Sequence, residues 1–174
     1  MKNKIIGLEF GCGDRPRREE YDGVDIRSFP NVKYVCNAWE ITEHVEPESV
    51  DAIFSRHFLE HLTFYDANRT IKAWHTILKN DGVCEIIVPN LRLHIEQFLD
   101  PNRKTKMRRQ FSYEAVARFG FWGHQKESEK GLVWDVHKSG YDFELLKDIL
   151  LENGFKSVKK VKSKPKNLTV IANK

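Results

Sequence analysis

Lys4-Ile-Ile-Gly-Leu-Glu-Phe-Gly-Cys-Gly13 decides the reading of this chain. A short apolar run that ends in turn residues reads as a buried strand. Gly11 and Gly13 read as a tight turn at its end, because glycine takes positive φ at no steric cost and lets a ligand approach the main chain. Glu9 sets a carboxylate beside that turn.

Outward from this stretch, Gly23 to Ile26, Val32 to Cys36 and Val50 to Ser55 read as three more short strands, separated by the turn formers Pro30-Asn31 and Pro47-Glu48-Ser49. Phe64, Ala67, Ile71, Trp74, Ile77 and Leu78 recur at three- and four-residue spacings, the stripe of an amphipathic helix, with Asn80-Asp81-Gly82 as its stop. Val83 to Val88 gives strand five, closed by Pro89. Residues 90–139 read as an insertion with a short helix over Leu91 to Leu99, a basic patch (Arg103, Lys104, Lys106, Arg108, Arg109) and a segment rich in aromatics and glycine. A second helix over Tyr141 to Asn153 is capped by Gly154, and Phe155 to Val161 and Leu168 to Ala172 are the last strands. Strands alternating with helices predict an α/β fold in one domain over residues 1–174, with a mostly parallel seven-stranded sheet and an antiparallel edge strand.

The 174 residues are 40% hydrophobic and 31% charged, with a mean hydropathy of −0.56, which fits a water-soluble globular chain. The start, Met1-Lys2-Asn3-Lys4, does not read as a signal peptide, and no uncharged stretch is long enough to span a bilayer, so a cytoplasmic protein is expected. Cys12, Cys36 and Cys84 are odd in number and widely spaced, and read as reduced thiols. The net charge is +4, and the basic patch together with Lys156 to Lys166 suits an anionic partner.

Open α/β sheets bind ligands at the carboxyl ends of their strands. There this sequence sets Gly11, Cys12 and Gly13 after strand one, and Asp25 after strand two, where a carboxylate can accept hydrogen bonds from a ribose diol. Asn37, Ala38 and Trp39 follow strand three and offer an amide and an indole for a base. Ser55, Arg56 and His57 follow strand four.

These residues resemble the class I S-adenosylmethionine (SAM) dependent methyltransferases of the broad type 11 group. Leu8 to Gly13 is similar to that family's glycine motif, Phe58-Leu-Glu-His-Leu62 to its L-E-H-L segment, Leu78 to Pro89 to its fifth-strand motif, and His137 to Phe155 to its closing stretch. The resemblance implies a Rossmann-like sheet in the order 3-2-1-4-5-7-6, with SAM as cofactor. It also implies that Asp25 holds the ribose hydroxyls and Asn37 with Ala38 the adenine, while Ser55, Arg56 and His57 border the methionine end. Glu9, the glycine turn and Trp39 are expected in the same cofactor site from their places at the strand ends. Two departures stand out. The stretch Asp14 to Asp22 is too short for a first crossover helix, and Arg15 replaces the third glycine.

Methyl transfer from a sulfonium needs an aligned acceptor and, for a hydroxyl, proton removal, which a histidine near neutral pKa can perform. His61 and His137 are the candidate bases, with His124 third. No N/D-P-P-Y/F motif is present, which points to an O-methyl acceptor: a small molecule, or one linked to a sugar or nucleotide. With no N-terminal extension in this sequence, the substrate lid is expected from residues 90–139 or from another subunit. A rival reading is a non-catalytic domain of the same fold that binds cofactor or RNA. Another is a zinc hydrolase, since His57-Phe-Leu-Glu-His61 matches H-x-x-E-H. That motif follows directly on a strand and lacks an evident third ligand, so no metal is expected.

Overall fold

The computed structural model describes residues 6–126 and 128–174. Lys4 and Ile5 of the expected first strand lie outside them. The elements run β1 (Gly7–Phe10), β2 (Asp22–Asp25), β3 (Val32–Val35), β4 (Val50–Arg56), α1 (Phe64–Ile77), β5 (Leu78–Pro89), α2 (Leu91–Leu99), β6 (Met107–Arg108), β7 (Phe111–Ser112), α3 (Tyr113–Trp122), α4 (Phe143–Glu152), β8 (Ser157–Val161) and β9 (Asn167–Asn173). Seven strands form one sheet in the order β3-β2-β1-β4-β5-β9-β8, the expected topology. The strand that runs against its neighbours is β9, one place in from the edge, and β8 closes the sheet.

The two faces of this sheet differ. Side chains alternate along each strand, so Leu8, Ile53, Cys84 and Ala172 share one face, as do Phe10, Ser55, Ile86 and Val170. The apolar residues among these join the buried faces of α1 and α4 in one core, in which the Phe10 and Trp74 rings lie 5.1 Å apart. Fully burying a large apolar side chain stabilises a fold by about 1.5–3 kcal/mol, so Ile71, Trp74 and Ile77 anchor α1. The side chain of Thr63 caps this helix by accepting from the Asp66 N–H.

On the opposite face Glu9, Phe54, Glu85 and Ile171 stand side by side. The short link from Gly11 to Tyr21 lies over Glu9, Phe54 and Glu85, and the expected loss of the first crossover helix holds. Both oxygens of the buried Glu9 carboxylate accept from the Arg17 N–H, and one also accepts from the Arg18 N–H. The Arg18 guanidinium sits 4.7 Å over the Phe54 ring and pairs with Glu85 at 2.7 Å. A carboxylate and an arginine thus do locally what a packed helix does elsewhere.

Two expectations change. α1 ends at Ile77 and the chain enters β5 at once. The register jumps from Val50↔Leu78 to Ala52↔Val83, so the Asn80-Asp81-Gly82 stretch is a bulge in the strand and not a separate turn. The insertion is also more regular than its composition suggests. The β6–β7 hairpin leads into α3, which is capped by Ser112 and packs on α2 with His94 filling the notch left by Gly120. No helix among the described residues is long and apolar enough to cross a membrane.

Candidate active site

The chain turns sharply after β1. Gly11 and Gly13 have φ of +68° and +57°, and a Cβ on Gly11 would lie 2.5 Å from the Phe58 ring. Only glycine is free of strain at both positions. The Gly11 N–H donates to the Val24 carbonyl, and the Gly13 N–H donates to Asp25 Oδ2 at 2.9 Å. Cys12 between them is buried, and burial pushes its thiol up to about 11, so it sits there as a neutral packing group.

Asp25 ends β2 as a buried carboxylate whose oxygens are well occupied. Besides Gly13, it accepts from the Arg27 N–H at 2.9 Å and from Arg27 Nε at 3.1 Å. The guanidinium is partly exposed and is the nearest group, at 3.4 Å, to where a Gly13 Cβ would be. Arg27 carried no role in the sequence reading. Its side chain lies where the two strand ends leave room.

After β3, Asn37 precedes a 3₁₀ turn over Ala38–Glu43, and its side-chain N–H₂ donates to the Glu40 carboxylate at 3.1 Å. Ala38 is buried beneath it. Trp39 is turned toward α1, with the Arg69 guanidinium 4.7 Å over its ring. Glu9 likewise is committed to the Arg17 and Arg18 amides. Ser55 is fully buried within β4, its hydroxyl without a partner, which puts it in the sheet interior and not on the rim. Arg56 and His57 are half-buried at the strand end, and His57 has a φ of +51°.

The next turn carries the densest chemistry. Phe58 lies against Gly11, and Leu59–His61 follows as one 3₁₀ turn, not the long helix that H-x-x-E-H zinc proteases need. His57 Nδ1 lies 3.1 Å from Glu60 Oε1. Residues 137–139 dock on this turn: the Lys138 and Ser139 N–H groups donate to the Glu60 carbonyl, and Ser139 Oγ donates to the Leu59 carbonyl. That docking brings the His61 and His137 rings edge to face, 5.0 Å apart. Burial holds His137 below the ordinary imidazole range, so its ring is neutral near pH 7. His124 is instead stacked on Phe119 at 4.6 Å, away from this pair.

The insertion's aromatics divide in two. Phe119 and Trp122 line a surface cavity of about 360 Å³, with Arg118 and Gly123 to Gln125. Phe121 packs inward between α2 and α3 against Phe98. Trp134 is exposed. In the basic patch, Arg103 pairs with Glu114 and Lys106 with Asp100, which neutralises part of the expected charge.

A family described as "Methyltransferase domain" matches residues 2–158. The chain belongs to that family. It is a class I SAM-dependent methyltransferase, and S-adenosylmethionine is its cofactor. Solved structures share its fold. A SAM-dependent methyltransferase from Archaeoglobus fulgidus is 20% identical with a TM-score of 0.62, over 99% of this chain and 87% of that one. One from Methanosarcina mazei is 15% identical with a TM-score of 0.62, over 100% and 94%. The 1,6-didemethyltoxoflavin-N1-methyltransferase of Burkholderia thailandensis, solved with its substrate and S-adenosylhomocysteine, is 14% identical with a TM-score of 0.58, over 97% and 70%. No curated protein matches the chain. At these strand ends two glycines open the turn, and the partly exposed Arg27 side chain lies on the Asp25 carboxylate.

Proposed function

We propose that this methyltransferase acts on a hydroxyl of a small acceptor that meets His61 and His137 beside the glycine turn. The observation that carries this reading is the contact of Phe58 with Gly11, which sets the 57–61 turn, and with it the two histidines, next to the cofactor's backbone cradle. When bound, S-adenosylmethionine supplies an activated methyl group. Gly11, Cys12 and Gly13 offer main chain to it, Asp25 accepts from the ribose once Arg27 swings aside, and Asn37 with Ala38 borders the base. Trp39 and Ser55 act from behind as packing groups, and Glu9 holds the loop.

His61 Nδ1 lies 3.1 Å from the Val136 carbonyl and His137 Nδ1 lies 3.0 Å from the Gly120 carbonyl. A carbonyl only accepts, so in the neutral form of each ring Nδ1 carries the proton and Nε2 the lone pair. Those lone pairs are suited to the acceptor's hydroxyl proton. Residues 90–139 form the acceptor side of a domain spanning residues 1–174. Lys104, Arg108 and Arg109 remain for an anionic group such as a phosphate on a sugar- or nucleotide-linked acceptor. A cytoplasmic setting fits the unpaired cysteines.

The test is transfer of labelled methyl to a panel of hydroxyl acceptors. His137→Ala should lower the rate about 100-fold or more with SAM affinity nearly intact. Lost SAM binding with normal turnover at saturation would place His137 on the cofactor side instead.

A further inference from the structure

Glu60 is 1% exposed, and its Oε2 has no hydrogen-bond partner among the described residues. Leaving one oxygen of a buried carboxyl group unpaired is costly, because its lost hydration goes uncompensated. His57 reaches only the other oxygen, Oε1. One oxygen of Glu60 and one ring nitrogen each of His61 and His137 lie within 4.8 Å of one another. The Nδ1 atoms of both histidines are held by the Val136 and Gly120 carbonyls, which leaves Nε2 of each as the free donor. Backbone carbonyls that fix the tautomer are the outer partners that metal-binding histidines take.

We propose that Glu60, His61 and His137 form a site for one divalent transition-metal cation, bound through a Glu60 carboxylate oxygen and the two Nε2 atoms. Two imidazoles and one carboxylate favour zinc, manganese, cobalt or iron over magnesium or calcium, which prefer oxygen ligands alone. Three protein ligands leave positions open for an exchangeable oxygen ligand. The third ligand that the sequence reading did not find is His137, and His57 supports Glu60 from behind instead of binding metal itself. This site departs from the expectation of no metal. That the open position takes the acceptor's oxygen rests on the proposed function; the cation site itself does not. With the cation bound, the two Nε2 lone pairs are held by it and no longer take the proton themselves; the cation lowers the proton affinity of the bound hydroxyl, and the proton passes to solvent instead.

The experiment is a cobalt titration of chelator-treated full-length protein, followed by visible absorption and calorimetry, with zinc as competitor and S-adenosylhomocysteine binding measured in parallel. One cobalt per chain is expected, with visible ligand-field bands that zinc abolishes. His61→Ala, His137→Ala and Glu60→Gln should each weaken cobalt binding by about 100-fold or more, and His57→Gln by about tenfold, the scale for a supporting partner. His44→Ala, on exposed surface, should change nothing. Glu60→Gln keeps the side chain's size, so it reports on ligation where an alanine variant fails to fold. Absence of uptake at millimolar metal by folded protein, or uptake that survives all three ligand substitutions, overturns the site. Cobalt binding without S-adenosylhomocysteine binding would uphold the site and remove the functional reading, and the reverse pattern would do the opposite.

Discussion

Arg27 lies across Asp25, with Nε 3.1 Å from Oδ1 and Nη2 3.4 Å from Oδ2. The same carboxylate is the proposed ribose acceptor, so cofactor and guanidinium compete for it. The guanidinium is 42% exposed, and an ion pair this open contributes only about 0.2–1 kcal/mol. Arg27→Ala should therefore tighten S-adenosylhomocysteine binding by about two- to fivefold, read by calorimetry. Weaker binding in that variant would mean that Arg27 contacts the cofactor itself.

Gly11 is constrained twice, by a φ of +68° and by Phe58. The left-handed conformation costs a non-glycine residue about 1–2 kcal/mol, and the Phe58 contact adds to it because the chain-proximal Phe58 Cβ is 2.7 Å away as well. Gly11→Ala should destabilise the protein by more than that backbone cost alone. Adding Phe58→Leu should not restore it fully. Urea unfolding of the single and double variants measures this, and a Gly11→Ala variant as stable as the parent would refute the turn geometry.

Glu9 anchors the link that replaces the first crossover helix. Glu9→Gln keeps the shape but removes the charge that strengthens those bonds, at a cost of about 1.5–3 kcal/mol. The loosened link contains Arg15, Arg17 and Arg18, so brief trypsin treatment should cleave it faster than in the parent. Equal cleavage and equal stability would show that the loop holds without Glu9.

His94 gives stability a pH dependence. Burial holds its imidazole at about 4, against 6.5 for an unperturbed histidine. The unfolded chain then takes up a proton before the folded one does. Stability is fully present above pH 6.5 and is lost as pH falls from about 6.5 to 4, by up to about 3 kcal/mol. Urea midpoints across this range should fall less steeply in His94→Leu than in the parent. Parallel slopes would remove His94 as the cause.

The strands and the glycine turn were legible because they rest on local signals, short apolar runs with turn residues between them, whereas the strand order came from the family resemblance and the end of α1 was read too late. α3 carried legible marks too, with Ser112 before it and Gly123 after it, but its aromatics and Gly120 obscured them. The roles of Glu9 and Arg27 were not legible. Which backbone N–H groups a carboxylate will meet depends on the path of a loop, and a strand-end motif names its carboxylate without naming its rival. His61 and His137 were both expected as candidate bases, but the part of Glu60 beside them was hidden, because it is set by backbone hydrogen bonds between segments far apart in sequence. Two of the cluster's three members, Glu60 and His61, stand in the H-x-x-E-H match.

The proposal that the strand ends after β1 and β2 hold the cofactor is tested by calorimetry with S-adenosylhomocysteine. It predicts one ligand per chain, bound through Asp25, with Asp25→Ala weakening binding by about 1.5–3 kcal/mol, the scale of hydrogen bonds to a charged group. A folded protein that takes up no S-adenosylhomocysteine at millimolar concentration, or an Asp25→Ala variant that binds it unchanged, would contradict the claim.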